Sequence, residues 1–484
     1  MSLASAINTT KSILSNTATQ TSVVSNNTSN TSTEDYNRRT AVTTTNAYSG
    51  ATTVKIERTE DSALLKQTLS AIADDSGQQK LLAGLESLDA AMGGDQYTST
   101  PSQYLSALVE AMDTYASSPS DLTLASAAVA AANDVATSLN QQTAAVQGLR
   151  TEADAEIANT VSTLNELLKS FEKANNAVKQ ATAIGADAND ALDTREGLLK
   201  QISEIVGVTA SVRDNNDMVL YTSDGITLFE TTPRSVSFDA TPAYDATTEG
   251  NAIYIDGVAL AAGQGSSTSA NGSLQALLQL RDEVYPSYQD QLDEIARVTI
   301  NVFAEEDGSG DPVTGLFTTS STPAGAWSLD PADAEIVSGL AGLITVSSAA
   351  KDDPTKLRDG NISGVSQNSE SASGYSDLLY KFIAGFEETV TFDGAAGTST
   401  NATLLDYAND SVGWVEEYRS NASSAAENTS AMETRAKEAY SNATGVNLDE
   451  ELILLLDIEQ SYKAASKLLS TIDEMLAALM EAAS

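Results

Sequence analysis

The last 40 or so residues carry the pattern that most constrains how this chain can fold. From Val446 to Met480, apolar residues recur at spacings of three, four and seven, which is typical of the seam of a coiled coil. One seam contains Leu454, Ile458, Ala465, Leu468, Ile472, Met475 and Leu479, and a second contains Leu448, Leu452, Leu455, Tyr462, Leu469 and Leu476. Two adjacent seams make an apolar face too broad for one partner helix, so the sequence predicts a terminal oligomerisation helix rather than an ordinary core helix.

The first 33 residues carry a weaker version of the same pattern. Ile7, Leu14, Thr21 and Thr28 fall on a seven-residue grid, and Leu3 lies one turn before it. Threonine and asparagine make a poor isolated helix. A disordered polar tail is the alternative interpretation, but the matching seam at the other terminus favours a segment that becomes helical when it packs during assembly.

Composition excludes several classes of function. Lys plus Arg number 26 and Asp plus Glu number 67, so the net charge of −41 argues against binding nucleic acid or an anionic membrane. The chain has no cysteine and no histidine, which removes thiol chemistry, the commonest general base and the commonest transition-metal ligands. Self-assembly would have to rely on buried apolar seams, with salt screening the charge.

The termini and hydropathy bear on localisation. The N-terminal segment has the single cation Lys11 and lacks the continuous apolar core of a cleavable signal. No stretch approaches the ~18–20 apolar residues of a membrane helix, so we expect no membrane insertion. The chain is expected to be cytosolic or to be exported by a route that reads no conventional signal.

The periodicity along the chain predicts a mainly α protein with a small β insertion, arranged as an elongated multi-domain rod. Helical patterns cover about 59–92, 101–204, 274–303, 375–392 and 404–440, with Pro286 expected to kink or split the third. The predicted divisions are a terminal coiled-coil segment (1–33 plus 446–484), a discontinuous helical domain (34–206 plus 273–445) and an inserted β domain with its linker (207–272). Strands are also expected at 40–58 around Ser49-Gly50, and residues 304–372 are expected to be irregular.

The sequence contains only weak candidates for a metal-binding or catalytic motif. Asp307–Asp311 lacks the alternating ligands of a calcium loop, and adjacent carboxylates such as Glu305-Glu306 occur by chance in so acidic a chain. We therefore predict no catalytic, cofactor-binding or metal-binding residue, and no enzyme. The basic pair Arg38-Arg39 is expected to grip a carboxylate of a neighbouring subunit or to pair locally with Glu34 and Asp35.

Two terminal motifs resemble those of the bacterial flagellar axial proteins. Residues 445–452 read Gly-Val-Asn-Leu-Asp-Glu-Glu-Leu, in the form found among hook-associated members, with the motif residues Gly445, Asn447 and Asp449. The N-terminal motif residues are Ser25, Asn26, Asn27, Asn30, Tyr36 and Arg38. Where the family usually has Asn-Thr-Pro-Gly-Tyr, this chain has Ser-Thr-Glu-Asp-Tyr at 32–36, so the local turn differs.

The resemblance implies a secreted structural protein of the extracellular flagellum, exported by the flagellar type III apparatus. It implies a ring of identical subunits between hook and filament, with both terminal helices in a coiled-coil core. The implied partners are other copies of the chain, the hook protein, the second hook–filament junction protein and a cytoplasmic export chaperone. The implied assembly interface comprises Leu3, Ile7, Leu14, Leu448, Leu452, Leu455, Ile458, Tyr462, Leu468, Ile472, Met475 and Leu479.

Two other interpretations remain open. The chain could be another axial subunit, namely the hook protein or the second junction protein, although the long helical region 59–204 argues against this. It could instead be a secreted glycan-binding or glycan-hydrolysing protein that uses the acidic, tyrosine-bearing strands of 208–260.

Overall fold

The computed structural model describes residues 3–33, 35–45, 52–94, 97–321, 329 and 335–483. The longer helices are α1 (Leu3–Ser29), α2 (Ser62–Ala91), α3 (Pro101–Ser117), α4 (Leu122–Ile184), α5 (Asn189–Ile205), α6 (Ser273–Gln279), α7 (Tyr285–Val302), α11 (Asp377–Glu387), α12 (Leu404–Thr444) and α13 (Leu448–Ala483). The short helices are α8 (Leu340–Leu343), α9 (Ser348–Asp352) and α10 (Thr355–Asp359).

The strands are short and antiparallel. They are β1 (Arg39–Thr45), β2 (Thr52–Arg58), β3 (Val208–Val212), β4 (Met218–Thr222), β5 (Thr227–Phe229), β6 (Val236–Ser237), β7 (Tyr254–Ile255), β8 (Val258–Ala259), β9 (Glu305–Glu306), β10 (Pro312–Val313), β11 (Phe317–Thr319), β12 (Ile344–Val346), β13 (Val390–Thr391) and β14 (Asn401–Ala402). The predicted class, mainly α with small β parts, is confirmed.

The chain divides into two compact units. The first contains Met1–Asp75, Thr163–Ser235 and Thr429–Ser484, and the second contains Ser76–Ser162 and Val236–Asn428. The three-part division predicted from the sequence, and the elongated arrangement, stay predictions.

The first unit has its core where α4 and α5 meet a three-stranded sheet. The order of that sheet is β3-β4-β5, and its inward residues include Leu220 and Phe229. Phe171 of α4 meets Phe229 edge to face, with 5.1 Å between ring centroids. Ser203 of α5 donates to the carbonyl of Leu69 at 2.7 Å, which joins α5 to the first part of α2.

A two-stranded hairpin of the first unit packs on α1. The register of β1 and β2 pairs Arg39 with Arg58 at one end and Thr45 with Thr52 at the other. These strands agree with those predicted at 40–58. The turn predicted at Ser49-Gly50 lies outside the described residues.

The second unit is organised around α7, a helix that is buried on most sides and whose buried residues are both apolar and polar. Phe303, which follows α7, contacts Phe317, Phe382 and Phe386, with ring centroids 5.0–5.7 Å apart. Such clusters bury large apolar areas with favourable edge-to-face geometry. The irregular region predicted at 304–372 contains only the short elements β9–β12 and α8–α10 in its described part.

A local change of helix type comes just before Pro286, where the sequence predicts a kink or a split in the helix. Residues Leu280–Val284 form a π-helical turn between α6 and α7, and Pro286 is the second residue of α7. Proline has no N–H to donate and clashes with the carbonyl four residues earlier. A single wider turn accommodates the ring without ending the helix.

A buried arginine fixes this π turn to the rest of the second unit. Arg281 has no exposed surface, and its Nη1 donates to Asp154 Oδ1 at 2.7 Å. Its Nε and Nη2 donate to the carboxylate of Asp282, both at 2.8 Å. A Cβ on Gly250 would lie 2.4 Å from the guanidinium carbon, so the close approach requires glycine there.

The strands of 207–260, for which the sequence predicts one inserted β domain, form two separate sheets. Strands β3–β5 lie in the first unit, whereas β6–β8 form a separate three-stranded sheet in the second. Alternating short strands give no indication of which neighbours pair, because strand pairing depends on contacts distant in sequence.

Helix α4 contains an 18-residue window with a mean hydropathy of 1.2, which meets the length and composition criteria for a membrane span. The sequence analysis expects no such stretch. About 44% of this window is buried inside the protein. The buried apolar residues of α4 include Ala125, Ala128, Val129 and Leu139, so packing within the molecule accounts for part of this composition.

Candidate assembly interface

The C-terminal helix begins at a defined cap. Asn447 Oδ1 accepts from the backbone N–H of Asp449 at 3.0 Å, and the carbonyl of Asn447 accepts from Glu451 N. Asp449, Glu450 and Glu451 occupy the first turn, where negative charge is favourable. A Cβ on Gly445 would lie 2.5 Å from the carbonyl oxygen of Ser441, so glycine lets α12 end just before the cap. The motif residues Gly445, Asn447 and Asp449 thus make the junction between two helices.

Helix α13 packs along α1 through one narrow column of residues. The buried positions of α13 are seven residues apart: Glu451, Ile458, Ala465 and Ile472. The facing positions of α1 are also seven apart: Thr10, Thr17 and Val24. The two helices therefore meet as a short coiled-coil pair within one chain.

The buried column of α1 is not the one that the sequence predicts. Ile7 and Leu14 are half-buried, and Thr21 and Thr28 are exposed. The Thr10 and Thr17 hydroxyls instead donate to carbonyls of their own helix, at 2.8 and 3.0 Å. Their polar groups are thereby satisfied, so small threonine side chains can face the partner helix. Leu3 lies in α1, but its side chain is outside the described residues.

Most large apolar residues of α13 are exposed beside and beyond the column that packs on α1. Their exposed fractions run from 39% for Leu455 to 71% for Met480. This surface, called the outer face below, comprises Leu448, Leu452, Ile453, Leu455, Leu456, Tyr462, Leu468, Met475, Leu479 and Met480. Of the predicted interface residues on α13, only Ile458 and Ile472 are buried, and the other seven (Leu448, Leu452, Leu455, Tyr462, Leu468, Met475 and Leu479) belong to the outer face.

Asn27 is the centre of the N-terminal motif. Its side chain is fully buried, and its Nδ2 donates to the carbonyl of Arg39 at 2.8 Å. Its Oδ1 accepts from the backbone N–H of Arg39 at 3.1 Å and from the hydroxyl of Tyr36 at 2.9 Å. These bonds fix the end of α1 to the start of β1. The other motif residues Ser25 and Asn26 are exposed, and Asn30 Nδ2 donates to the carbonyl of Asn26 at 2.9 Å.

Arg38 joins this segment to the C-terminal helix. Its Nε donates to Glu451 Oε1 at 2.7 Å, and its Nη1 donates to Glu450 Oε2 at 2.9 Å. Its backbone N–H donates to the carbonyl of Thr444 at 2.7 Å. The sequence analysis offers a neighbouring subunit or local acids as its partners, and the structure instead pairs it with carboxylates more than 400 residues away in the same chain.

Arg39 and Arg58 extend the ion pairs to α5. Arg39 Nη2 lies 2.9 Å from Asp193 Oδ2, and Arg58 Nη2 lies 2.5 Å from Glu196 Oε2. Burial opposes the charge of Arg58, but its pairs with Glu196 and Asp193 outweigh burial and raise its pKa. Of the local acids predicted to pair with Arg38-Arg39, Asp35 pairs with Lys200 instead, and Glu34 lies outside the described residues.

Asn37 and Tyr440 complete this polar cluster, and the sequence analysis missed both. The Asn37 amide satisfies its neighbours when its oxygen accepts from Arg58 Nη2 at 2.6 Å and from the Tyr440 hydroxyl at 2.9 Å. Its nitrogen then donates to Thr444 Oγ1 at 3.2 Å. Burial raises the pKa of Tyr440, so the hydroxyl stays protonated. In the sequence, the only indication that Asn37 belongs to this cluster is its position between the motif residues Tyr36 and Arg38.

The described residues show no group of three or more acidic side chains placed to hold a metal ion. Asp307 Oδ1 accepts from the backbone N–H groups of Ser309 and Asp311, at 2.7 and 3.0 Å, which is the hydrogen bonding of an ordinary turn. The carboxylate of Glu305 is buried and accepts from the backbone N–H of Ser363 at 2.8 Å.

Residues 85–315 match the family model of the flagellar hook-associated protein FlgK helical domain. Residues 437–482, which contain the junction motif and most of α13, match the C-terminal model of the flagellar basal body rod FlgEFG proteins. Both matched models describe flagellar proteins, and the first describes a hook-associated one. The family resemblance inferred from the terminal motifs is confirmed.

Relatives in the family are distant. The flagellar hook-associated protein 1 of Bacillus subtilis is 21% identical over 363 residues, which cover 71% of this chain and 68% of the relative. The Salmonella typhimurium protein of that name is 27% identical over 167 residues, which cover 34% of this chain and 30% of the relative. The solved flagellar hook junction protein FlgK of Burkholderia pseudomallei is 20% identical, with a TM-score of 0.43 over 52% of this chain and 46% of that one.

Proposed function

We propose that this chain is a structural subunit of the bacterial flagellum that joins hook to filament, and that it catalyses no reaction. The observation that carries the proposal is the outer face of α13, a helix-long apolar surface beside a family motif. Hook-associated proteins are parts of the extracellular flagellum, and an apolar surface of this size on a subunit indicates an interface.

The proposed occupants of the outer face are terminal helices of neighbouring axial subunits. The first are other copies of this chain in a ring, and the hook protein and the second junction protein contact the ring on its two sides. Each copy carries a net charge of −41, so the contact must be apolar enough to overcome mutual repulsion. The outer face, with ten large apolar residues more than a third exposed, meets that requirement.

Export would expose the same surface to water before assembly. We infer that the chain leaves the cell through the flagellar type III apparatus and that a cytoplasmic chaperone covers the outer face of α13 beforehand. Both steps follow from the family and from the cost of leaving about ten large apolar side chains in water, each worth roughly 1–2 kcal/mol on burial.

The direct test removes α13 and locates the protein. A chain lacking residues 446–484 should remain soluble and monomeric and should fail to enter flagella, because it has lost the outer face. Immunogold labelling of the full chain should give a spot at the hook–filament boundary. Normal motility with the truncated chain would contradict the proposal, and label along the whole hook would favour the alternative axial subunit.

A further inference from the structure

Helix α13 packs one column of residues on α1, and the neighbouring column, which is more apolar, stays exposed or half-buried. The column that faces α1 contains Glu451, Ile458, Ala465 and Ile472. The neighbouring column, four residues on along the helix, contains Leu448, Leu455, Tyr462, Leu469 and Leu476. Four residues correspond to a rotation of about 40° about the helix axis, so a small rotation would place this leucine column on α1. Hydrophobic burial alone favours that rotation.

A charged residue lies at the first position of the buried column. Glu451 is only 1% exposed, and its Oε1 accepts from Arg38 Nε at 2.7 Å. Rotating α13 would carry this carboxylate away from Arg38, and a buried carboxylate without a partner is strongly unfavourable. A polar residue at one seam position is a known way to specify helix pairing at a cost in stability.

Arg38 is itself held on both sides of the bend between α12 and α13. Its backbone N–H bonds the last residue of α12, Thr444, and its Nη1 bonds Glu450 in the first turn of α13. The adjacent Arg39 backbone is clamped by Asn27 at 2.8 and 3.1 Å. The Arg38 guanidinium therefore reaches Glu451 from a backbone that is fixed in place, so a rotation of α13 would strain or break this ion pair.

We propose that the Arg38–Glu451 pair selects which face of α13 packs on α1. The pair holds the Ile-Ala-Ile column against α1, and it leaves Leu448, Leu455 and Tyr462 of the leucine column exposed and Leu469 and Leu476 half-buried. Arg38 and Glu451 are thus positioning residues, and the use of the exposed column by neighbouring subunits rests on the proposed function. The face selection itself is a property of the single chain.

The absence of cysteine makes the test clean, since one engineered thiol labels one position. Tyr462→Cys places the thiol in the leucine column, at a side chain that is 54% exposed. Ala465→Cys places it in the column that faces α1, at a side chain that is 2% exposed. In the otherwise unchanged full-length monomer, we expect a maleimide to label position 462 at least tenfold faster than position 465.

Removing the pair should reverse this preference. In the Arg38→Met/Glu451→Leu background, no charge is left buried, α13 turns its leucine column inward, and the 462-to-465 ratio of labelling rates falls at least tenfold. The matched control is Glu459→Leu, which makes the same substitution at an exposed glutamate of α13 that pairs with Lys463. The control should leave the ratio unchanged, and circular dichroism should show equal helix content in all variants.

Two results would overturn the inference. An unchanged ratio in the double variant would mean that apolar packing alone sets the face. Fast labelling at both positions would mean that the pair merely holds the helix in place. Because labelling is measured without other flagellar proteins, its outcome is separate from the proposed function: a reversed ratio with normal entry into flagella keeps the face selection and refutes the assembly role of the leucine column.

Discussion

At the scale of single residues, the terminal motifs act through side chains that bond distant backbone. Asn27 satisfies both polar groups of the Arg39 backbone, and Arg38 satisfies carbonyl and carboxylate groups on either side of the α12–α13 junction. A buried amide with several partners contributes stability mainly because removing it leaves those partners unsatisfied. The motifs therefore have a structural explanation that involves no catalysis.

Replacing Asn27 tests the N-terminal clamp. Asn27→Ala leaves the Arg39 N–H, the Arg39 carbonyl and the Tyr36 hydroxyl without this partner, and should lower the free energy of unfolding by about 2–4 kcal/mol. Urea denaturation measures the change. The adjacent Asn26→Ala, at an exposed position, should cost less than about 0.5 kcal/mol. Equal effects of the two substitutions would show that the clamp does not stabilise the fold.

Asp293 should make stability depend on pH. Burial raises the pKa of Asp293 to about 7, although the backbone N–H groups of Ala341 and Gly339 and the amide of Gln289 oppose the rise. The folded protein then binds this proton more tightly than the unfolded chain. Its contribution to stability is therefore full below about pH 4 and is lost as the pH rises toward 7.

The variant Asp293→Asn removes the titration and keeps one oxygen, which can accept from the Ala341 N–H, while the Gly339 N–H loses its acceptor. Urea unfolding at pH values from about 4.5 to about 7.5 measures the effect. Over this range the free energy of unfolding of the wild type should fall by roughly 2–4 kcal/mol relative to that of the variant. Parallel pH profiles for the two proteins would contradict the assignment. Burial also raises the pKa of the neighbouring Asp290, to about 6, so part of the decline should remain in the variant.

At the scale of elements, the sequence predicts the helices and their ends better than their packing. The periodicity of α13 and the capping residue Asn447 are local signals, and both agree with the structure. The buried column of α1 is not local information, because it depends on which face meets α13. Ile7 and Leu14 are the more apolar choice, yet Thr10 and Thr17 face the partner helix. The pairing of Arg38 with Glu451 likewise cannot be predicted from sequence spacing, because the two residues are 413 positions apart.

The end of α12 should require glycine at position 445, whereas Gly413 in the interior of the same helix should be replaceable. Gly445→Ala would place a Cβ 2.5 Å from the Ser441 carbonyl and should destabilise the fold by about 1–3 kcal/mol. Gly413→Ala, in the interior of α12 with no atom within 4 Å of the new Cβ, should instead stabilise it by up to about 1 kcal/mol. Thermal unfolding compares the two, and the same sign for both would refute the steric explanation.

Ile472 should matter within the single chain. From the sequence alone, a charge at position 468 or at position 472 is expected to block assembly without changing the monomer. The structure separates the two positions, because Ile472 is 5% exposed against α1 and Leu468 is 53% exposed. Ile472→Asp should detach α1 from α13 at a cost of several kcal/mol, visible as lost helix signal in the monomer. Unchanged circular dichroism would contradict the observed pairing.

At the scale of the whole molecule, charge and apolar surface oppose each other. A net charge of −41 keeps separate copies apart, while the outer face of α13 favours association once salt screens that charge. The sequence shows both tendencies, and it identifies the family through two short motifs. It does not show how 207–260 divides between two sheets, since that division rests on contacts far apart in the chain.

The most direct measurement compares assembly with monomer stability in the variant Leu468→Asp. Because Leu468 lies on the outer face, the account predicts that the variant melts within about 2 °C of the wild-type monomer and no longer enters flagella in cells that lack the wild-type chain. Lys467→Asp, at the adjacent exposed charged position, serves as the control and should enter flagella. Normal entry of Leu468→Asp into flagella, or a fall in its melting temperature as large as that of Ile472→Asp, would contradict the account.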